Sequence, residues 1–185
     1  MKIYLDLYRR DVRVSEDPLV RLSAIGISPE RPARTIVFIH GFGGYADQWI
    51  NQLQELSLQN HVIALDQRGH GYSEKPYSSY TMDEIQADLE KSLEILEVEE
   101  KFVLVGHSFG GAVVTEYATT HPERIEQLIL TAIMMIITHC VTYKALCLPT
   151  ATLWRMCCRL VTGFRRLRKA TSGFYRYCPS TTAMA

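Results

Sequence analysis

The chain has 185 residues, with 20 Lys and Arg against 20 Asp and Glu, so its formal net charge is zero. With 47% hydrophobic and 22% charged residues it has the balance of a globular protein, which excludes a long disordered chain and a collagen-like repeat. Neutrality also excludes a chain basic throughout, the footprint of a phosphate-neutralising protein, so nucleic acid is not an expected partner.

Apolar runs alternate with helical patterns from residue 19 to residue 132. LVRLSAIG (19–26) and TIVFIHG (35–41) read as strands, the second a continuous apolar run ending in glycine. A polar helix is expected over Ala46–Leu58, with Trp49, Leu53 and Leu56 at helical spacing. HVIALD (61–66) is the next strand, and RGHGYSEKPYSSY (68–80) has the Gly, Pro and Ser content of a loop. Thr81 then caps a helix as T-M-D-E, which runs to about Leu96 with Ile85, Leu89, Leu93 and Leu96 on one face. KFVLVG (101–106) is a strand, Phe109–Thr119 a helix ended by His121-Pro122, and RIEQLILTA (124–132) a strand. Such alternation, with near-continuous β-branched strands, predicts an α/β fold: a mostly parallel sheet with helices on both faces.

Gly106-His107-Ser108-Phe109-Gly110 is a G-x-S-x-G set between a strand and a helix. A serine on so sharp a turn needs small residues two positions to either side, so that strand and helix can approach closely; Gly106 and Gly110 supply them. The turn would present Ser108 Oγ at the C-terminal edge of the sheet, beside the free N–H groups of a helix start. His40-Gly41-Phe42-Gly43-Gly44 follows an earlier strand, and its glycines would let the backbone aim an N–H across at the serine. The N–H groups of Phe42 and Phe109 are the natural oxyanion donors, with His40 a packing residue.

With these motifs in place, the chain resembles the α/β-hydrolase fold superfamily, in its serine-nucleophile branch. H-G-F-G-G after one strand, D-Q-R-G-H-G-Y-S (Asp66–Ser73) after the next and G-H-S-F-G-G after a third carry the resemblance, which covers roughly residues 19–132. It implies that Ser108 attacks a carbonyl carbon, that a histidine takes its proton, that a carboxylate orients that histidine, and that water then hydrolyses the acyl-enzyme. An ester-like small molecule is the implied substrate, with no cofactor and no metal. Serine at the elbow argues against epoxide hydrolase and haloalkane dehalogenase relatives, which place Asp there. Asp66 and Arg68 are implied to hold loops together rather than to do chemistry.

The triad partners should follow in the order Ser, acid, His. After Ser108 the only carboxylates are Glu116, Glu123 and Glu126, none expected at the right edge of the sheet. His121 precedes the last strand and reads as structural; His139 lies past it and is the one candidate base, without a downstream acid. The acid and the base are therefore unassigned.

The neutral total conceals two unlike parts. Residues 1–126 hold 12 Lys and Arg and all 20 Asp and Glu, a net of −8, whereas residues 127–185 hold 8 Lys and Arg and no acid, a net of +8. All five cysteines lie in the second part, at neither disulfide-framework nor metal spacing. The expectation is a cytoplasmic protein with no secretory signal. The uncharged run 127–143 reads as a strand and its continuation rather than as a membrane span. The expected organisation is a hydrolase core over residues 1–132 and a helical cap-like or degenerate segment over 133–185, a hydrolase cut short. Residues 151–169 form a basic amphipathic stretch with Leu153, Cys157, Leu160, Phe164 and Leu167 on one face. Packing of that face as a cap helix is preferred to contact with an anionic membrane or a partner. An exposed apolar edge near Leu128–Leu130 would favour self-association. The alternative to a weak or inactive hydrolase is a non-catalytic binding module of the same fold.

Overall fold

In the computed structural model the described residues are 3–131. The strands are β1 (Arg9–Glu16), β2 (Leu19–Ile27), β3 (Thr35–Ile39), β4 (His61–Asp66), β5 (Phe102–His107) and β6 (Ile125–Thr131). They form one sheet in the order β1-β2-β4-β3-β5-β6. β3 pairs in parallel with both β4 and β5, and β5 in parallel with β6, while β1–β2 and β2–β4 are antiparallel. The α/β architecture expected from the sequence is therefore present, with an antiparallel margin.

Successive side chains of a strand point to opposite faces, and here both faces are buried. Val37 and Ile39 of β3 join Ile63, Leu65 and Leu104 in one core. Ile36 and Phe38 join Val62, Ala64, Val103 and Val105 in the other. The first core is covered by α2 (Met82–Ile95) and α3 (Phe109–Thr120), through Ile85, Leu89 and Leu93 and through Val113, Val114 and Tyr117. The second is covered by α1 (Ile50–Leu56) and the short 3-10 turn before it, through Trp49 and Leu53. Each fully buried aliphatic side chain contributes about 1.5–3 kcal/mol relative to exposure. The predicted start of α2 is present as a capping box: the Glu84 N–H donates to Thr81 Oγ1, and the Thr81 N–H donates to the Glu84 carboxylate.

Three expectations shift. Arg9–Glu16, not anticipated as a strand, is β1; its pattern is polar because it is an edge in which Val12 alone is fully buried. The helix expected over Ala46–Leu58 is split into a 3-10 turn, Ala46–Trp49, and α1 proper. Its first N–H is claimed from outside, since Ala46 donates to Asp66 Oδ1 at 2.5 Å. β3 ends at Ile39, two residues earlier than expected, because His40 and Gly41 belong to the turn beyond it. Among the described residues no helix is long and apolar enough to cross a membrane. The basic stretch 151–169 and the segment 133–185 lie outside the described residues.

Candidate active site

Because β3 lies between β4 and β5, the turns leaving the C-terminal ends of these parallel strands are neighbours. Those turns carry, in order, Asp66–Ser73, His40–Gly44 and Ser108. Sheets of this kind place ligands at that edge.

Ser108 stands between β5 and α3 with φ 52° and ψ −115°, a conformation that non-glycine residues adopt at a cost of about 1–3 kcal/mol. Two backbone bonds hold it there. The Ser108 N–H donates to Thr131 O at 3.0 Å, and the Gly111 N–H donates to Ser108 O at 2.9 Å. The flanking glycines are sterically required. A Cβ on Gly106 would lie 2.5 Å from Gly110 O and from Val114 Cγ2, and one on Gly110 would lie 2.5 Å from Ile39 O. Phe109 opens α3, where the first N–H groups have no partner inside the helix.

The His40–Gly44 turn is braced from beneath. Gly44 N–H donates to Gly41 O at 3.0 Å. The Gln67 N–H donates to His40 Nε2 at 3.0 Å, so Nε2 is the acceptor and the ring proton sits on Nδ1, 2.8 Å from Gly41 O, to which it donates. Gln67 Nε2 also donates to His40 O at 2.8 Å. His40 is fully buried, and burial pushes its pKa below the usual histidine value, with the Gly41 carbonyl pulling it partly back. It is a neutral strut, in the packing role the sequence suggested.

Such a strut makes stability pH-dependent. The folded-state pKa of His40 lies below its ordinary 6.5, so the unfolded chain takes up the proton first. Its full contribution is present above pH 6.5 and is lost as the pH falls from there towards the lowered value. His61, also depressed by burial and by Arg10, acts in the same direction. Urea midpoints should therefore fall as the pH drops below 6.5. The fall should be shallower in His40→Asn; an unchanged slope would contradict the neutral strut.

Phe42, at the tip of the turn, is 84% exposed, and its ring makes a T-shaped contact with His70 at 5.7 Å between centroids. His70 Nδ1 lies 3.0 Å from Arg68 O. Arg68 is itself buried and forked onto Asp88 of α2, with Nε–Oδ2 at 2.6 Å and Nη2–Oδ1 at 2.8 Å; Nη1 reaches Glu84 at 2.9 Å. Asp66 is fully buried and accepts from the backbone N–H groups of Ala46 and Tyr72. Both residues bind loops together, as the resemblance implied. Arg9, which gave no signal, completes this brace: its guanidinium binds Asp47, Asp66 and Ser23 and lies 4.1 Å from the centre of the Tyr72 ring.

The carboxylates after Ser108 are elsewhere. Glu116 is exposed on α3, Glu126 pairs with Arg34 at 2.8 Å, and Glu123 precedes β6. His121 follows α3 and stacks on Tyr117 at 4.5 Å, at the opposite end of the sheet from Ser108. His139 lies outside the described residues.

The family described as alpha/beta hydrolase fold matches residues 34–150. Among curated proteins, a (lyso)-N-acylphosphatidylethanolamine lipase of Mus musculus is 34% identical over 115 residues, covering 60% of this chain and 33% of its own length. Epoxide hydrolase 4 of Mus musculus is 37% identical over 103 residues, covering 55% and 28%. Among solved structures, a probable hydrolytic enzyme of Pseudomonas aeruginosa superposes with a TM-score of 0.62 at 29% identity, covering 66% of this chain and 40% of its own. The chain thus spans about a third or less of the curated relatives it matches, and about two-fifths of that structure.

Proposed function

Since this chain belongs to the α/β-hydrolase fold family, we propose that Ser108 is the nucleophile of a hydrolase-type reaction on an ester or related carbonyl bond. One observation carries this reading: a serine held at φ 52° on the strand-to-helix turn, packed directly against Gly41 of the neighbouring turn. In the reaction Ser108 Oγ would attack the carbonyl carbon while its proton passes to a base. The carbonyl oxygen would take the charge between the N–H groups of Phe42 and Phe109. Collapse would expel the alcohol and leave an acyl-enzyme for water to cleave. The relatives' names span lipase and epoxide hydrolase. Serine rather than a carboxylate at position 108 supports acyl transfer on an ester-like substrate over epoxide opening.

The 185 residues contain no Asp or Glu after Glu126, and His139 is the one candidate base left. A hydroxyl without a positioned base loses orders of magnitude in rate. This chain by itself is accordingly read as a weak or inactive hydrolase, with its core over residues 1–132 and a cap-like or degenerate segment over 133–185. The second reading is a binding module of the same fold, which would hold an ester-like ligand without turning it over. The five cysteines, outside any framework spacing, suit a reducing compartment, and we assign the protein to the cytoplasm.

Turnover of a p-nitrophenyl ester is expected below about 1 s⁻¹, under the ordinary enzyme range. Whatever turnover exists should disappear in Ser108→Ala. Faster turnover lost with Ser108 would overturn the weak-enzyme reading, and turnover indifferent to Ser108→Ala would overturn the assignment of the nucleophile. Labelling by a fluorophosphonate at Ser108 would favour the enzyme over the binding module.

A further inference from the structure

Gly41 is the point where the turn carrying Phe42 and the turn carrying Ser108 press on one another. A Cβ built on it would lie 2.8 Å from His107 Nδ1 and 3.0 Å from Ser108 Cβ, so imidazole and serine bear on the same stretch of backbone. The His107 ring also meets Trp49 edge-on, with centroids 6.4 Å apart and planes at 85°. Trp49 is buried and tilted against Phe38 of β3, with centroids 5.0 Å apart. The imidazole is therefore wedged between a rigid aromatic wall and the glycine that leads to the Phe42 N–H.

Its nitrogen chemistry contrasts with that of His40. Both His40 nitrogens have hydrogen-bond partners, whereas His107 Nδ1 is buried and has none among the described residues. The contact with Gly41 is steric, made by the ring edge that carries Nδ1. What the ring supplies is a flat, stiff edge against Gly41.

We propose that His107 is a positioning residue whose ring, rather than its nitrogens, holds the Gly41–Phe42 turn at the distance from Ser108 that an oxyanion requires. The proposal rests on the assignment of Ser108 and the Phe42 N–H given above.

Phenylboronic acid tests it on the full 185-residue chain without needing turnover. Boron accepts the Ser108 oxygen as a fourth ligand, the hydroxyl proton leaves to solvent, and the negative charge of the tetrahedral boronate lies towards the Phe42 and Phe109 N–H groups. The adduct is read by boron NMR and its Kd by titration. His107→Ala should weaken the Kd about 100-fold, the scale of one lost oxyanion donor. His107→Asn, which keeps a polar group near the Nδ1 position without a ring, should fall with alanine. His107→Phe, which keeps the ring without nitrogens, should stay within about threefold of the parent. Amide exchange at Phe42–Gly44 should quicken about tenfold or more in the alanine and asparagine variants and stay unchanged in the phenylalanine variant.

Phenylalanine as weak as alanine, asparagine as good as the parent, or alanine without effect on affinity and exchange would each overturn the proposal. If the parent forms no boronate adduct, the Ser108 assignment fails, and the exchange comparison still decides whether His107 holds the turn.

Discussion

Removing either partner of the Arg68–Asp88 pair is expected to lower the unfolding free energy by about 3–5 kcal/mol, the penalty for stranding a buried charge. Both side chains are buried, and the bond is a two-pronged fork between the loop after β4 and α2. Asp88's hydrogen bonds push the Arg68 pKa above its ordinary value, so the guanidinium stays charged at any working pH. Asp88→Ala therefore leaves a buried cation, held only from one side by the part-exposed Glu84, facing Leu22, Ile39, Leu65, Ile85 and Leu89, which line the small cavity beside it. Arg68→Met with Asp88→Leu removes both charges and keeps the volume, and it should lie within about 1–2 kcal/mol of the parent, because apolar replacement of a buried pair is often close to neutral. Urea unfolding of both variants against the parent checks this. A double variant as unstable as Asp88→Ala would mean that the ion pair itself, rather than the avoidance of an unpaired charge, holds the loop. The loop matters for the site because Arg68 O lies against His70, and His70 lies against Phe42.

What could be read from the sequence, and what could not, follows from the range of the signals. β3, β4 and β5 are continuous apolar runs buried on both faces, so composition alone marks them. α2 carries its own start signal in the Thr81–Glu84 capping box. The elbow was legible because its glycines and its serine are adjacent in the chain. β1 was not, because an edge strand with one fully buried side chain lacks the alternation that marks a half-buried strand. Arg9 was beyond reach for a different reason. Its meaning lies in Asp47 and Asp66, 38 and 57 residues away, and nothing local records that pairing. The Arg68–Asp88 fork spans 20 residues and is equally silent. His107 was visible only as the variable letter of a motif. Its contact with Gly41 exists because β3 and β5 are paired neighbours, a fact of topology rather than of spacing.

Gly110→Ala should be the most damaging single-methyl change in the site, at about 3 kcal/mol or more, the upper range for overpacking against atoms that cannot yield. The new Cβ would lie 2.5 Å from Ile39 O and against His40 O, both backbone atoms at the end of β3. A flexible side chain could swing away, but the backbone of a strand paired on both sides cannot, so α3 would have to lift off the sheet. Gly43→Ala is the matched comparison. Gly43 has φ +71° and open space around it, so alanine there meets only the left-handed backbone penalty of about 1–2 kcal/mol. Both glycines sit within the site, and neither substitution touches a proposed reacting atom. Their effects should nevertheless part. Gly110→Ala should shift the urea midpoint strongly and abolish the boronate adduct, since lifting α3 carries Ser108 and the Phe109 N–H away from Gly41. Gly43→Ala should cost less stability and weaken the adduct only through a looser Phe42. Equal losses for the two would mean that the elbow is held by local backbone preference rather than by close contact between strand and helix, and the steric reason given for Gly106 and Gly110 would fall with it.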